Sequence, residues 1–222
     1  MSLLKSVFIS SIGKKILMAT TGLLLCLFLV IHLIGNLILF AGPDAFNLYV
    51  ETLSSVKPIV RSIEIILALI FLNHIFLGSK LTFENRNATT QKYVVNSAGE
   101  NSSFFSRNMF ISGSILFIFL MTHLSTFWYL FQKQHDEGNF YEIVMGNTVG
   151  FGNPIITALY CIAMILLGFH LRHGFQSAFQ TFGIRYNKYS GLIETVAILF
   201  WLIIPLGFLS IAVWFGIFGG GY

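Results

Sequence analysis

The sequence predicts an all-α fold, a single integral membrane domain (residues 1–222) of five transmembrane helices with its N-terminus in the cytoplasm. Three observations predict it. Of the 222 residues, 55% are hydrophobic and only 10% are charged, where a soluble domain carries roughly 25% charged residues. The apolar residues gather into five runs, each longer than the ~20 residues that cross a hydrocarbon core. Ten of the 13 lysines and arginines fall on the side of the N-terminus and of the second and fourth connections, and cytoplasmic loops are the ones enriched in basic residues. Lys57, Arg61 and Lys133 hold the opposite side. The setting implied is a cell's inner (cytoplasmic) membrane, crossed several times, with lipid rather than nucleic acid as the partner.

The first run, about 16–41, follows MSLLKSVFISSIGKK. It is far longer than the ~7–15 apolar residues of a cleavable signal, and no small-residue cleavage motif follows, so it is expected to stay as a span. Gly42-Pro43 stops it. The second run, about 58–81, opens on Pro58, and the fourth, about 154–179, opens on Pro154. Proline is tolerated in a first helical turn, where its missing N–H had no partner to lose. The third run covers about 104–131 and the fifth about 191–218, with Pro205 as the clear interior breaker. The connections read as short and polar. The longest, Asn85 to Ser103, is expected to lie on the membrane surface without much regular structure, and the Gly219-Gly220-Gly221 tail to fray. No internal repeat stands out. Trp128 and Trp214 fall near the outer interface, where indole rings are favoured, with ordinary packing as the alternative. Cys26 and Cys161 lie inside apolar runs without C-x-x-C spacing, which points to packing rather than a disulfide or a metal knuckle.

Five of the six histidines, His32, His74, His123, His170 and His173, sit in or at the end of apolar runs. A titratable side chain in hydrocarbon is costly and reads as functional. His32 is 17 residues beyond Lys15 and His123 is 16 beyond Arg107, ~25 Å of rise from the cytoplasmic edge. His74 is 17 residues past Lys57 and His170 is 17 past Asn153, the same travel from the other edge. His32 and His123 therefore share an outer level and His74 and His170 an inner one. Two imidazoles facing each other across a bundle are the axial ligands of a haem iron. The spacing predicts an outer b haem at His32 and His123 and an inner one at His74 and His170. Zinc and copper fit less well, because they want three or four ligands in one cluster. No C-x-x-C-H attachment occurs, and haems with both axial positions filled carry electrons rather than bind substrate. Gly78, Gly174 and Gly35 follow ligands by three or four residues, share a face with them and are expected to leave room for the porphyrin. His173 is the rival ligand in the fourth run. With Arg172 it is otherwise a candidate to meet a haem propionate or a quinone, or an interfacial anchor. His135, in QKQHDEG, belongs to a polar outer loop.

The stretches ATTGLLLCLFLVIHLIGN (19–36), KPIV (57–60) followed by His74, the span of His123, and GFHLRHGF (168–175) resemble the cytochrome b membrane subunit of dihaem succinate:quinone oxidoreductases, the succinate dehydrogenase and fumarate reductase family. The resemblance covers most of the chain and rests on combined order and spacing. It implies two b haems, a quinone site, usually for menaquinone, and two cytoplasmic partners. These are an FAD flavoprotein that interconverts succinate and fumarate and an iron–sulfur protein that relays electrons. The inner haem would face the iron–sulfur protein, the outer haem the quinone, and the basic connections would dock the soluble subunits. Quinone chemistry moves protons with electrons and wants a carboxylate near the ring. Glu51 falls near where the family places such an acid, and Glu64 is the other candidate. Some relatives carry a glutamate two residues before the fourth ligand, where this chain has Gly168. Two other readings remain open: the dihaem anchor of a hydrogenase or formate dehydrogenase, and a haem-free proton-coupled transporter, whose helices are more often broken at the midplane.

Overall fold

Ser10 caps the first helix, its hydroxyl accepting the N–H of Gly13 at 3.0 Å, so the span begins at Ser11 rather than near residue 16. In the computed structural model, which describes residues 10–88, 103–133, 138–184 and 189–219, five helices are long and apolar enough to cross a membrane. They are span 1 (Ser11–Ala41), span 2 (Lys57–Asn87), span 3 (Met109–Lys133), span 4 (Pro154–Thr181) and span 5 (Ser190–Gly216). The chain is a multi-pass, all-helical membrane protein, with no strand among the described residues. His135, most of the 85–103 connection, the end of the glycine tail and Lys5, Lys92, Arg185 and Lys188 lie outside those residues.

Spans 2 and 4 open on Pro58 and Pro154 in their first turns, as the missing proline N–H allows. Span 2 runs six residues beyond its expected end at Leu81. Its last turns stay helical against span 1, where the buried Lys14 pairs with Glu84. Span 1 tightens into a 3₁₀ turn at Ile38–Ala41, and Gly42, at φ 94, breaks it. That conformation is one glycine adopts without a Cβ penalty.

The connection after Gly42 is not a simple polar loop. Pro43–Ser55 is a helix with proline in its first turn and Asp44 near its N-terminus, where a negative charge suits the helix dipole. Phe46, Tyr49 and Val50 recur at helical spacing and pack against the bundle. A second short helix, Phe140–Met145, buries Phe140 and Tyr141 beside it, and the Tyr141 N–H donates to Asn47 Oδ1 at 2.9 Å. Together they close the end of the bundle opposite Ser11, hereafter the far end. The near end is where span 1 starts.

Span 1 packs on spans 2 and 4, span 3 packs on span 4, and spans 2 and 3 touch sparingly. The first four spans thus form a ring whose diagonals are 1 to 3 and 2 to 4. Span 5 lies outside the ring against spans 4 and 1. Small residues permit this approach: a methyl at Gly207 would stand 2.7 Å from Leu33 Cδ2, and one at Gly168 would stand 3.0 Å from the Trp201 carbonyl oxygen. Pro205, lacking an N–H, cannot donate to that carbonyl. Span 5 is π-helical over Leu199–Ile203, just before the proline. The lipid-facing surface is clearest on span 2, where Ile63, Ile66, Leu69, Leu72 and Phe76 are all exposed.

Candidate functional site

The four spans around the ring line a half-open cavity of about 2060 Å³. Ligand pockets usually hold roughly 300–1,000 Å³, and membrane and soluble interiors alike are otherwise close-packed, so a cavity this large is a built feature. Its wall is mainly apolar and includes His32, His74, His123, His170 and His173.

The histidines meet across the diagonals. His32 on span 1 and His123 on span 3 have ring centroids 5.8 Å apart with planes at 87°. His74 on span 2 and His170 on span 4 have centroids 6.4 Å apart with planes at 62°. One metal atom bound by two imidazole nitrogens, at ~2 Å each, puts the centroids roughly 6 Å apart. Both pairs stand at that spacing. Their separation in depth can be measured twice. Gly22 abuts His74, and His32 lies ten residues further along span 1; Gly113 abuts His170, and His123 lies ten residues further along span 3. Each interval is ~15 Å of helix rise. Among the described residues, no three or more His, Cys, Asp and Glu side chains gather as a metal cluster, so the donors come in twos.

The ring nitrogens are tied from behind. His74 Nδ1 lies 3.2 Å from Thr21 Oγ1, His170 Nδ1 lies 3.4 Å from Ser112 Oγ, and His123 Nδ1 lies 2.9 Å from the Tyr160 hydroxyl. An imidazole whose Nδ1 hydrogen is held this way presents Nε2 as the metal-binding lone pair. His32 differs: the Asn36 amide nitrogen lies 3.4 Å from its Nδ1 and donates to the His32 carbonyl at 2.8 Å. The two levels also differ in their walls. Phe28 and Phe119 stack on His32 and His123 at 5.1 and 5.9 Å, and Phe208 of span 5 lies 5.5 Å from His32. Thr21, Ser112, Gly22 and Gly113 stand against His74 and His170, hereafter the lower pair, instead.

These contacts reveal an internal repeat that the bare sequence hides. Met18, Thr21, Gly22, Phe28 and His32 on span 1 correspond in spacing to Met109, Ser112, Gly113, Phe119 and His123 on span 3. Pro58, His74 and Gly78 on span 2 correspond to Pro154, His170 and Gly174 on span 4. The contacts repeat too. A methyl at Gly22 would stand 3.3 Å from His74 Cε1, and one at Gly113 would stand 3.4 Å from His170 Cε1. The expectation of no repeat is therefore corrected: the four-span ring is two similar helix hairpins. Only a few residues at fixed spacings are shared, which is why the repeat escapes a scan for identity.

Comparisons of the chain with protein-family models, characterised proteins and solved structures give no match.

The other candidate residues fall in distinct places. His173 lines the cavity, nearer the near end than His170, which is the ring that faces His74. Arg172 is not among the lining residues; its guanidinium lies 5.0 Å from the Trp201 ring centroid. Glu51 is exposed on the Pro43–Ser55 helix and does not line the cavity. Glu64 does: it pairs with Arg61 and accepts from Trp128 Nε1 at 3.1 Å, while Arg61 also donates to Gln132. The three glycines expected to make room for a porphyrin, Gly35, Gly78 and Gly174, all line the cavity, and each also has a protein group beside it. A methyl at Gly35 would stand 2.9 Å from Tyr49 Cζ, one at Gly78 3.3 Å from the Met18 methyl, and one at Gly174 3.5 Å from the Met109 methyl. Gly22 and Gly113, which do abut the rings, carry no mark in the sequence beyond their place ten residues before a histidine. The two cysteines are free thiols packed in the bundle.

Proposed function

We propose that this chain is the dihaem cytochrome b anchor of a succinate:quinone oxidoreductase, passing electrons between a soluble iron–sulfur partner and a membrane quinone. The observation that carries the reading is the pair of imidazole couples spanning opposite diagonals of one large apolar cavity, ~15 Å apart along the axis by helix rise. That donor set fits b haem: two neutral nitrogen donors per level, mostly apolar walls and no thioether-forming cysteine motif.

Haem held this way supplies one-electron transfer and leaves no open coordination position for a substrate. The residues of the chain hold, orient and insulate. His32 with His123 and His74 with His170 would hold the two haems, while Tyr160, Thr21 and Ser112 would fix ring orientation. Phe28, Phe119 and Phe208 keep water from the far level. In the orientation that the basic residues favour, the near end is cytoplasmic, and Lys15, Lys80, Arg86 and Arg107 lie towards the surface that would meet the flavoprotein and iron–sulfur subunits. Proton exchange with a quinone belongs at the far end. There Glu64 is the better placed carboxylate, since it lines the cavity and Glu51 does not. Arg61 and Trp128 would hold the Glu64 carboxylate in place.

The test is a pyridine haemochrome assay on the purified complex followed by succinate. About two b haems per chain, reduced by succinate, is the expected result. A colourless preparation removes the reading in favour of a proton-coupled transporter. Two haems reduced by hydrogen or formate, and not by succinate, move the chain to the anchor of another respiratory complex.

A further inference from the structure

The two histidines of the lower pair are each backed by a buried hydroxyl from the preceding span. Thr21 and Ser112 are both about 7% exposed, and neither lines the cavity. Each already uses its own proton. Thr21 Oγ1 donates to the Leu17 carbonyl at 2.8 Å and lies 3.1 Å from that of Met18, and Ser112 Oγ donates to the Met109 carbonyl at 3.0 Å. Back-bonding of this kind is common for serine and threonine in membrane helices, and taken alone it would be a packing detail. What sets these two apart is that both occupy the same position of the repeat, one residue before the glycine that admits the ring, and both turn their free lone pair to an Nδ1. A hydroxyl whose hydrogen is committed to a carbonyl can only accept from the imidazole. It therefore holds the Nδ1 proton, selects the tautomer with Nε2 bare, and leaves the ring richer in electrons.

We propose that Thr21 and Ser112 are positioning residues that set the reduction potential of the lower haem, holding its level apart from the far one by a matched pair of hydroxyl acceptors. The inference rests on the haem reading above. An electron-rich axial imidazole favours the ferric iron, so removing an acceptor makes the ferrous state easier to reach. The far level is wired differently, with a phenol behind His123 and an amide nitrogen behind His32. Changes at Thr21 and Ser112 therefore act on one haem only.

The experiment is an optical redox titration of the whole complex, with low-temperature spin-resonance spectra, for Thr21→Val, Thr21→Ser, Ser112→Ala and Ser112→Thr. The Met18 carbonyl also faces His74, so Ser112→Ala gives the larger response. In Ser112→Ala the lower haem shifts by about tenfold towards the ferrous state, which is about 59 mV more positive for one electron. Its signal moves, the far haem does not, and the two hydroxyl-conserving variants match the parent. Equal shifts in both haems, no shift in Ser112→Ala, or a shift in Thr21→Ser as large as in Thr21→Val would each overturn the proposal while leaving the haem reading intact. A parent complex without two b haems overturns both.

Discussion

Each imidazole in this bundle can be assigned by what stands behind it and what faces it. His170 and His173 are only three residues apart on span 4, yet His170 is the ring opposite His74 and the one backed by Ser112. On the proposed dihaem reading, His74→Ala and His170→Ala are therefore expected to remove the lower haem and spare much of the far one, and His32→Ala and His123→Ala to do the reverse. His173→Ala should keep both. Haem stoichiometry with separated α-band spectra reads this directly. Retention of the lower haem in His170→Ala, with its loss in His173→Ala, would show that the ligand is the other ring. The residue pattern was legible in part. Intramembrane histidines announce themselves because charge in lipid is costly, and depth could be counted along helices. Which groups would hold the Nδ1 hydrogens was not legible, because Thr21 and His74 are brought together from different spans.

The helices were largely readable as helices, since apolar length and a leading proline are properties of a local stretch. The exception is Pro43–Ser55, whose apolar side is only Phe46, Tyr49 and Val50 and whose remaining residues look like a loop. Its packing explains Gly35, which sits three residues after His32 and admits the Tyr49 ring. Gly35→Ala is expected to lower stability by ~1–3 kcal/mol through overpacking, and Tyr49→Leu in the same chain to restore most of it. A double-mutant cycle of thermal midpoints checks this. Additive losses would mean that glycine and tyrosine do not meet. Gly168 has a parallel account. Span 5 presses on it through the Trp201 carbonyl, so any side chain at this position would crowd span 5.

The assembled bundle is a ring with one weak edge. Spans 2 and 3 touch sparingly and the hydropathic centre of span 2 buries none of its residues in the protein, so on the proposed dihaem reading the bound haems would carry much of the ring's closure. Binding to the folded state adds stability as the logarithm of the ligand's excess over Kd, ~4 kcal/mol at a thousandfold excess. Protein made under haem starvation is expected to unfold at a lower temperature than the loaded form, with span 2 gaining deuterium fastest. Equal exchange in the two forms would show that haem does not close the ring. Membrane class, number of crossings and the histidine levels were set by the chain's own pattern, because apolar length and spacing along a helix are counted without knowing any neighbour. The diagonal pairing, the hydroxyls behind the lower rings, the use of each glycine and the hidden repeat were settled only by packing, because each depends on which side chain stands opposite, often 50 or more residues away in sequence.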